Sequence, residues 1–208
     1  MHGTYCGGKT MKKSKSDVEK LKLDILDTAE ALFLRKNYSE VNVREITEQL
    51  GITRTPLYYH FSSKLEIYTQ VVERYLERKV ELFRGIHHAE EAFFVKVKKD
   101  LALCSSQNIQ ETTLFSEIVT NPELAAILQK RRETFDQIYG LKRFSVQEAV
   151  KQGELREDVD PEEVVDSLYL IHFGLTEMCH CNYHTFSQEA VERLISQQIE
   201  GLKNQFGR

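Results

Sequence analysis

The chain has 208 residues, 41% of them hydrophobic and 29% charged, which is the composition of an ordinary soluble globular protein. No apolar run approaches the roughly 20 residues that a membrane span needs. The N-terminus lacks the apolar core of a signal peptide, so a cytoplasmic location is expected. The four cysteines, Cys6, Cys104, Cys179 and Cys181, are too few and too unevenly spaced for a disulfide framework, and reduced thiols are expected.

Positive charge is concentrated toward the N-terminus, although the whole chain carries a net charge of -4. Residues 1–64 hold 11 Lys and Arg against 8 Asp and Glu, which leaves a net charge of -7 on the remaining residues. A basic end on an acidic body is typical of a protein that brings that end to a nucleic acid. Residues 1–16 are glycine- and lysine-rich and are predicted to be a flexible basic arm, either an inert tail or a segment that touches phosphates.

A helical period begins at Asp17 and carries one apolar stripe, formed by Leu21, Ile25, Ala29, Leu32 and Phe33. A second helix is predicted after Asn42, which is a good N-cap residue with Glu45 placed to complete a capping box. Gly51 follows this helix at the position where a left-handed C-cap costs least.

A third, very short helix is predicted from Thr53 to Phe61, with Thr53 as its cap. Pro56 falls at its third position, where the missing N–H would have no partner in any case. Ser63 and Glu66 predict a capping box that opens a fourth helix. That helix continues through Ile67, Val71, Tyr75, Val80 and Phe83.

The remaining chain shows helical signals and no strand signal. Helices are predicted over residues 90–104 and 109–119, and a long one opens at Asn121-Pro122 and reaches Lys151, with Gly140 as a candidate break. Asp160-Pro161 and Ser187 open the last two. The sequence therefore predicts an all-α fold of about nine helices joined by short connections.

The second and third helices predict a helix-turn-helix, in which two short helices are held nearly perpendicular and the second enters the major groove. One set of apolar residues is predicted to pack the first three helices together: Ala29, Phe33, Val43, Ile46, Leu50, Ile52, Leu57 and Phe61. Once Leu57 and Phe61 face inward, the polar side chains between them must face away from this core.

Those outward side chains suit DNA. Arg54 can fork onto guanine or grip a phosphate, the Thr55 methyl can meet a thymine methyl, and tyrosine hydroxyls and the Lys64 ammonium suit phosphates. The candidate DNA contacts are Arg44, Thr53, Arg54, Thr55, Tyr58, Tyr59, His60 and Lys64. The alternative is a surface helix that merely exposes aromatics, but two adjacent exposed Tyr and a His are uncommon without a partner.

The run from Val43 to Lys64, with Leu57-Tyr58-Tyr59-His60-Phe61 as its most specific part, resembles the signature of TetR-like (tetracycline-repressor family) transcriptional regulators. The match is close over residues 21–68. It implies a helix-turn-helix DNA-binding domain at 17–68 and a ligand-binding and dimerisation domain at 69–208. Thr55-Pro56 departs from the family pattern, which often has Gly or another small residue there, and stiffens the tip of the recognition helix. The implied function is a sequence-specific regulator, a repressor released from a palindromic operator by a small-molecule ligand.

Two late helices carry wide apolar faces that fit a dimer. After Asp160, one stripe comprises Val164, Leu168, Ile171, Leu175 and Met178, and an adjoining one comprises Val165, Tyr169, His172 and Cys179. The last helix adds a further apolar face. Two such helices from each subunit would form a four-helix interface and space two recognition helices about 34 Å apart. The alternative is a helix pair buried within one chain; the homodimer is favoured.

A ligand cavity is predicted among aromatic residues of the second half. The candidates are Phe94, Phe115, Phe135, Tyr139, Tyr169, His172 and Phe173. Each of them also fits a plain core position, because aromatics at helical spacing usually belong to a core.

The segment from His172 to His184 contains three His and two Cys, whose side chains are zinc and copper ligands, so an alternative function is a metal- or thiol-responsive sensor of the same fold. Cys179 and Cys181 lie on different faces of a helix, and could share a metal only if that helix ends near His180. No metal or other cofactor is therefore predicted. The chain contains no nucleophile elbow, P-loop or Gly-rich dinucleotide loop, so an enzyme is not expected.

Overall fold

The computed structural model describes residues 15–106, 108–180 and 187–208, with side chains for all of these but 104–106, 108–110 and 178–180. The predicted basic arm lies almost wholly outside the described residues. Over the described ranges the regular structure is helical, apart from one isolated antiparallel bridge between Leu155 and Gly207. The helices are α1 (Lys15–Phe33), α2 (Val43–Leu50), α3 (Arg54–His60), α4 (Lys64–His87), α5 (Phe93–Ser106), α6 (Asn108–Phe115), α7 (Ala125–Lys151), α8 (Pro161–His180) and α9 (Gln188–Phe206). The prediction of an all-α fold is confirmed.

The first three helices pack around the predicted apolar set. Ala29, Phe33, Ile46, Leu57 and Phe61 are buried, and the other three predicted residues are half-buried against the same core. The same apolar cluster continues past the start of α4 and takes in residues from 114 to 127. The helix-turn-helix therefore rests directly on α6 and the start of α7.

A second apolar core holds α5, α7, α8 and α9 together. Val164, Leu168 and Leu175, which the sequence assigned to a dimer interface, are buried in this core within one chain. These three residues are therefore core residues and not interface residues, because α5 packs against both α8 and α9. The face that α8 leaves outward carries Leu170, 75% exposed, and Phe173, 53% exposed.

Two local predictions about α7 need correction. Asn121 does cap a helix, by accepting from the Glu123 N–H at 3.0 Å, but the capped element is a short 3-10 helix, Pro122–Leu124, and α7 begins at Ala125. Gly140 does not interrupt α7, which is continuous over 27 residues. A single helical glycine costs only about 1 kcal/mol, which the packed faces of α7 offset.

A buried group of charges joins α4, α5 and α7. The Lys142 ammonium lies 2.9 Å from Oδ1 and 2.7 Å from Oδ2 of Asp100, and His87 Nε2 lies 3.0 Å from Asp100 Oδ2. Burial alone would raise the pKa of Asp100, but the Lys142 charge and the His87 hydrogen bond outweigh burial and lower it to about 2. Asp100 is therefore an ionised carboxylate buried between α4, α5 and α7.

In the part of the chain that the structure describes, no helix is both long and apolar enough to cross a membrane.

Candidate nucleic-acid interface

Helix α2 begins and ends with the local geometry that its sequence predicts. The Asn42 side chain accepts from the Glu45 N–H at 3.0 Å, and the Glu45 carboxylate accepts from the Asn42 N–H at 3.3 Å, which completes the capping box. Gly51 takes the left-handed conformation, with φ 64° and ψ 29°. An L side chain there would strain the turn that sets the angle between α2 and α3.

Helix α3 has one buried and one exposed face. Leu57 is fully buried, and Phe61 just after the helix is 1% exposed. Arg54 and Thr55 are exposed on the other side, together with Tyr58, 49% exposed, and Tyr59, 77% exposed. Thr53 stands at the N-cap as predicted, but its hydroxyl makes no capping hydrogen bond, which leaves that side chain available to a partner.

Two further predicted contacts flank this face. His60 is half-buried, and its ring meets the Tyr59 ring edge-on at a centroid distance of 5.2 Å. Arg44 lies exposed on α2 and donates to Glu48 at 2.6 Å, one turn along the helix. An exposed ion pair of this kind contributes only about 0.3–0.5 kcal/mol to stability, so a DNA phosphate can compete with Glu48 for the guanidinium.

The Lys64 ammonium, predicted to bind a phosphate, is already engaged within the protein. Its Nζ donates to the carbonyls of Tyr38 at 2.9 Å and Val41 at 3.1 Å, and lies 4.2 Å from the centre of the Tyr38 ring. The side chain is half-buried. Lys64 therefore ties the start of α4 to the loop between α1 and α2, and one of its three N–H groups is left for a phosphate.

The start of α4 also departs in detail from the predicted capping box. Ser63 accepts from the Glu66 N–H at 3.1 Å, as a cap should. The Glu66 carboxylate, however, accepts from the N–H and hydroxyl of Ser62, both at 2.7 Å, instead of from Ser63. These two bonds lower the pKa of Glu66 and fix the chain between α3 and α4.

A cavity of about 220 Å³ lies between α4, α6, α7 and α8. It is lined by four of the seven predicted ligand residues: Phe115, Phe135, His172 and Phe173. Burial and the Lys142 charge lower the pKa of His172 to about 4, so its imidazole is neutral at physiological pH.

The other three predicted ligand residues stand apart from this cavity. Tyr169 does not line the cavity but contacts Phe135, which does, with 6.5 Å between the two ring centres. Tyr139 stacks on Tyr169 at 5.7 Å. Phe94 is separate: its ring meets Phe93 at 5.2 Å and lies below Lys203 of α9. Phe94 belongs to the α5–α9 packing, so its placement with the other aromatics was wrong.

Sequence reasoning missed the charged lining of the cavity, which is Lys79, Glu111 and Arg131. Arg131 stands in the run Lys130-Arg131-Arg132, which reads as a solvated face. Its partial burial comes from the rings of Phe115 and Phe135, which lie against its guanidinium, and no local pattern predicts the contact with Phe115 of α6.

The predicted metal-binding alternative centres on residues whose side chains are not described: Cys179, His180, Cys181 and His184. Its remaining member, His172, lies in the aromatic cavity. Over the described residues, no group of three or more His, Cys, Asp or Glu is placed to hold a metal ion. The metal-sensor alternative is not favoured.

The helix-turn-helix matches a known family. Residues 25–71 match the model of the bacterial regulatory proteins, tetR family. The HTH-type transcriptional regulator TtgR of Pseudomonas putida is 20% identical over 173 residues, which span 79% of this chain and 82% of that protein. The HTH-type transcriptional repressor BepR of Brucella suis is 24% identical over 179 residues, 82% of this chain and 86% of BepR.

The likeness of fold extends along most of the chain. The crystal structure of a TetR transcriptional regulator from Chloroflexus aurantiacus superposes with a TM-score of 0.76 at 16% identity, and covers 92% of this chain and 98% of that one. The solved structure, at 16% identity, supports the fold alone. The match over residues 25–71, taken with the curated relatives, identifies the chain as a TetR-like helix-turn-helix transcriptional regulator.

Proposed function

We propose that this protein is a homodimeric repressor that binds a palindromic operator and is released from it by a small molecule. In this proposal residues 17–68 bind DNA, and residues 69–208 bind the ligand and form the dimer. The observation that carries it is the exposed face of α3, where Arg54, Tyr58 and Tyr59 lie exposed on a helix whose Leu57 is fully buried on the opposite face. BepR, which is similar to this chain over most of its length, is a repressor, and this supports repression over activation.

The chemistry of each outward side chain sets its proposed role. Arg54 and Thr55 are placed to read base edges, because a guanidinium fork matches guanine and a methyl group meets thymine. Tyr58 and Tyr59 hydroxyls donate to phosphates. The supporting contacts to the backbone come from Arg44, Thr53, His60 and the remaining N–H of Lys64, which fix orientation without reading sequence.

The outward face of α8, with α9, is the proposed dimer interface. Leu170 and Phe173 leave a large apolar area exposed, which a monomer seldom does with adjacent residues. Gly174 lies beside them and Gly201 lies on the exposed side of α9, and among the described residues a Cβ built on either would meet nothing within 4 Å beyond its own helix backbone. Neither glycine is needed by its own chain, and both allow a partner helix to approach closely.

A ligand signal has a direct route from the cavity to the DNA-binding helices. Phe115 lines the cavity and is buried in the same apolar cluster as the helix-turn-helix. The next residue, Ser116, donates to Asn37 Oδ1 at 2.9 Å, and Glu117 accepts from the Ser39 hydroxyl at 2.6 Å. Any ligand that moves Phe115 therefore shifts the α1–α2 loop that Lys64 also holds. Release requires that the ligand bind the two arrangements with different affinity.

The test of the operator is selection from a pool of random duplexes, followed by fluorescence anisotropy at physiological salt. We expect two inverted half-sites whose centres lie one helical turn, about 10 base pairs, or a multiple of it apart. Preference for the selected duplex over a scrambled one should be about a thousandfold or more. Equal binding to all duplexes, with only a salt-dependent affinity, would contradict the proposal.

The test of the dimer is Leu170→Glu, with Leu82→Glu as a control, because Leu82 is an exposed leucine of α4, 46% exposed. Sedimentation velocity should show a monomer for Leu170→Glu and an unchanged dimer for Leu82→Glu. The monomeric variant should also lose operator affinity, since each half-site then binds separately. A dimer that persists in Leu170→Glu places the interface elsewhere.

A further inference from the structure

The cavity between α4, α6, α7 and α8 is charged as well as aromatic, and its charges do not balance. The inference drawn from them rests on the proposed function, in which this cavity takes the effector. Its volume of about 220 Å³ is the room of roughly seven water molecules. A molecule with one ring and a short substituent fills that space. Phe115, Phe135 and Phe173 supply its apolar walls.

One pair of charges in the cavity is already neutralised. The Lys79 ammonium lies 2.6 Å from both carboxylate oxygens of Glu111, and each of the two side chains is 12% exposed. The Tyr75 hydroxyl donates to Glu111 Oε2 at 3.3 Å. Because Glu111 is held by two donors from α4, its carboxylate is occupied before any ligand enters.

Arg131 is the charge that remains. Its guanidinium lies between two rings, with its central carbon 4.8 Å from the centre of Phe115 and 5.3 Å from that of Phe135. Its Nε is buried and has no hydrogen-bond partner among the residues that the structure describes. Burial lowers the pKa of Arg131, while Glu111 raises it in part; an arginine nevertheless stays protonated at neutral pH.

The other titratable group of the lining does not change this balance. His172 is neutral at physiological pH, as shown above, so it offers a hydrogen bond and no charge. Lys79 and Glu111 cancel, and Arg131 leaves the cavity with one net positive charge. A cation would be repelled by that charge, and a neutral molecule would leave it without a counter-charge beside the buried Nε.

We propose that the effector is a small aromatic monocarboxylate whose carboxylate pairs with Arg131 and whose ring packs among Phe115, Phe135 and Phe173. The guanidinium fork matches a carboxylate with two parallel hydrogen bonds, and a buried N–H gains most from such a partner. The rings on both sides of Arg131 hold its plane fixed. The pairing therefore takes place against Phe115, whose ring is also part of the core beneath the DNA-binding helices.

The test uses isothermal titration of the full chain with benzoate and trans-cinnamate, with benzamide as the neutral match and benzylamine as the cationic one. We expect each carboxylate to bind at least about tenfold more tightly than benzamide, since only the carboxylate offers the guanidinium both a negative charge and two acceptor oxygens. Benzylamine should not bind. Tighter binding of the amide or the amine, or no binding of either carboxylate, overturns the proposal.

Variants on one helix separate the pocket charge from the general charge of the protein. Arg131→Met keeps apolar packing between the rings and should abolish carboxylate binding, whereas Arg132→Met removes an exposed neighbour and should leave it unchanged. Unchanged binding in Arg131→Met overturns the assignment. Where circular dichroism shows that Arg131→Met is unfolded, Arg131→Lys decides: we expect weaker binding than wild type, because an ammonium lacks the fork.

Operator release is measured separately, with the same probes added to the protein–DNA complex. Carboxylates that bind through Arg131 without releasing DNA would refute the ligand-released repressor and leave the anion site standing. Release by benzamide or benzylamine, in contrast, would support the repressor and refute the anionic effector.

Discussion

Replacing Lys142 with Met tests whether the buried charges of the body stabilise the fold in the way that their geometry indicates. Lys142 and Asp100 are 0% and 2% exposed in their side chains, and lie 2.7 Å apart at the closest atoms. At an effective dielectric constant of 20, two such charges attract by about 6 kcal/mol, most of which offsets their desolvation. Removing the ammonium leaves Asp100 charged and buried with only the imidazole of His87.

Loss of one partner from a buried pair costs about 3–5 kcal/mol, and uptake of a proton by Asp100 limits that cost. The lowered pKa of Asp100, about 2 against the usual 3.8, corresponds to about 2–3 kcal/mol. We therefore expect Lys142→Met to lose about 3 kcal/mol of unfolding free energy at pH 7.5. That loss is smaller than the roughly 5–15 kcal/mol of unfolding free energy typical of a domain, so the variant should still fold.

The assay is urea unfolding followed by circular dichroism, at one protein concentration because a dimer's stability depends on concentration. The deficit should shrink as the pH falls from 7.5 to 5, since Asp100 in the variant has lost the charge that held its pKa low and can now be protonated. In wild type, Asp100 contributes fully above its unfolded pKa of 3.8 and loses this contribution as the pH falls toward 2.

Lys151→Met is the matched control on the same helix, because Lys151 pairs with Glu148 at 2.7 Å with 70% of its side chain exposed. We expect Lys151→Met to change the unfolding free energy by no more than about 0.5 kcal/mol. A loss of less than about 1 kcal/mol in Lys142→Met, no larger than in the control, would mean that water reaches the Asp100 carboxylate.

Three smaller predictions concern local features of the fold. Leu57→Ala should lower the unfolding free energy by about 2–5 kcal/mol, because it opens a cavity in the fully buried centre of the helix-turn-helix; urea unfolding measures it. Ser63→Ala should lower the unfolding free energy by about 1 kcal/mol, because α4 loses its N-cap hydrogen bond. An unchanged urea midpoint would show that the cap is not formed in solution. Acidification from pH 7.5 to 5 should lower the unfolding free energy of wild type by about 2 kcal/mol more than that of His172→Gln. The pKa of His172 is about 4 in the folded protein and 6.5 in the unfolded chain, so the unfolded chain takes up the proton first. Equal losses in the two proteins would contradict this.

Features set by neighbouring residues could be predicted from the sequence. The capping box of Asn42 and Glu45 and the left-handed Gly51 depend on residues a few positions apart, and both are present as predicted. The burial of Leu57 and the exposure of Tyr59 follow from helical spacing once one face is assigned to the core.

Features set by distant parts of the chain could not be predicted. Lys64 finds its acceptors in backbone carbonyls 26 and 23 residues earlier, and every residue type offers a carbonyl, so no pattern marks them. The apolar stripe of α8 that includes Leu168 fits a dimer and a core equally well, and only the packing of α5 decides between them. Arg131 reads as an exposed charge until Phe115 of α6 lies against it.

The affinity of Arg54→Ala for the selected operator shows whether the outward face of α3 reads DNA. Arg143→Ala is the control, since it removes an arginine of α7 with 49% of its side chain exposed. We expect Arg54→Ala to lose about 1–3 kcal/mol of operator binding and to discriminate less well against a changed base, while Arg143→Ala keeps the wild-type affinity. Equal affinities for wild type and both variants, with the dimer intact, would contradict the claim.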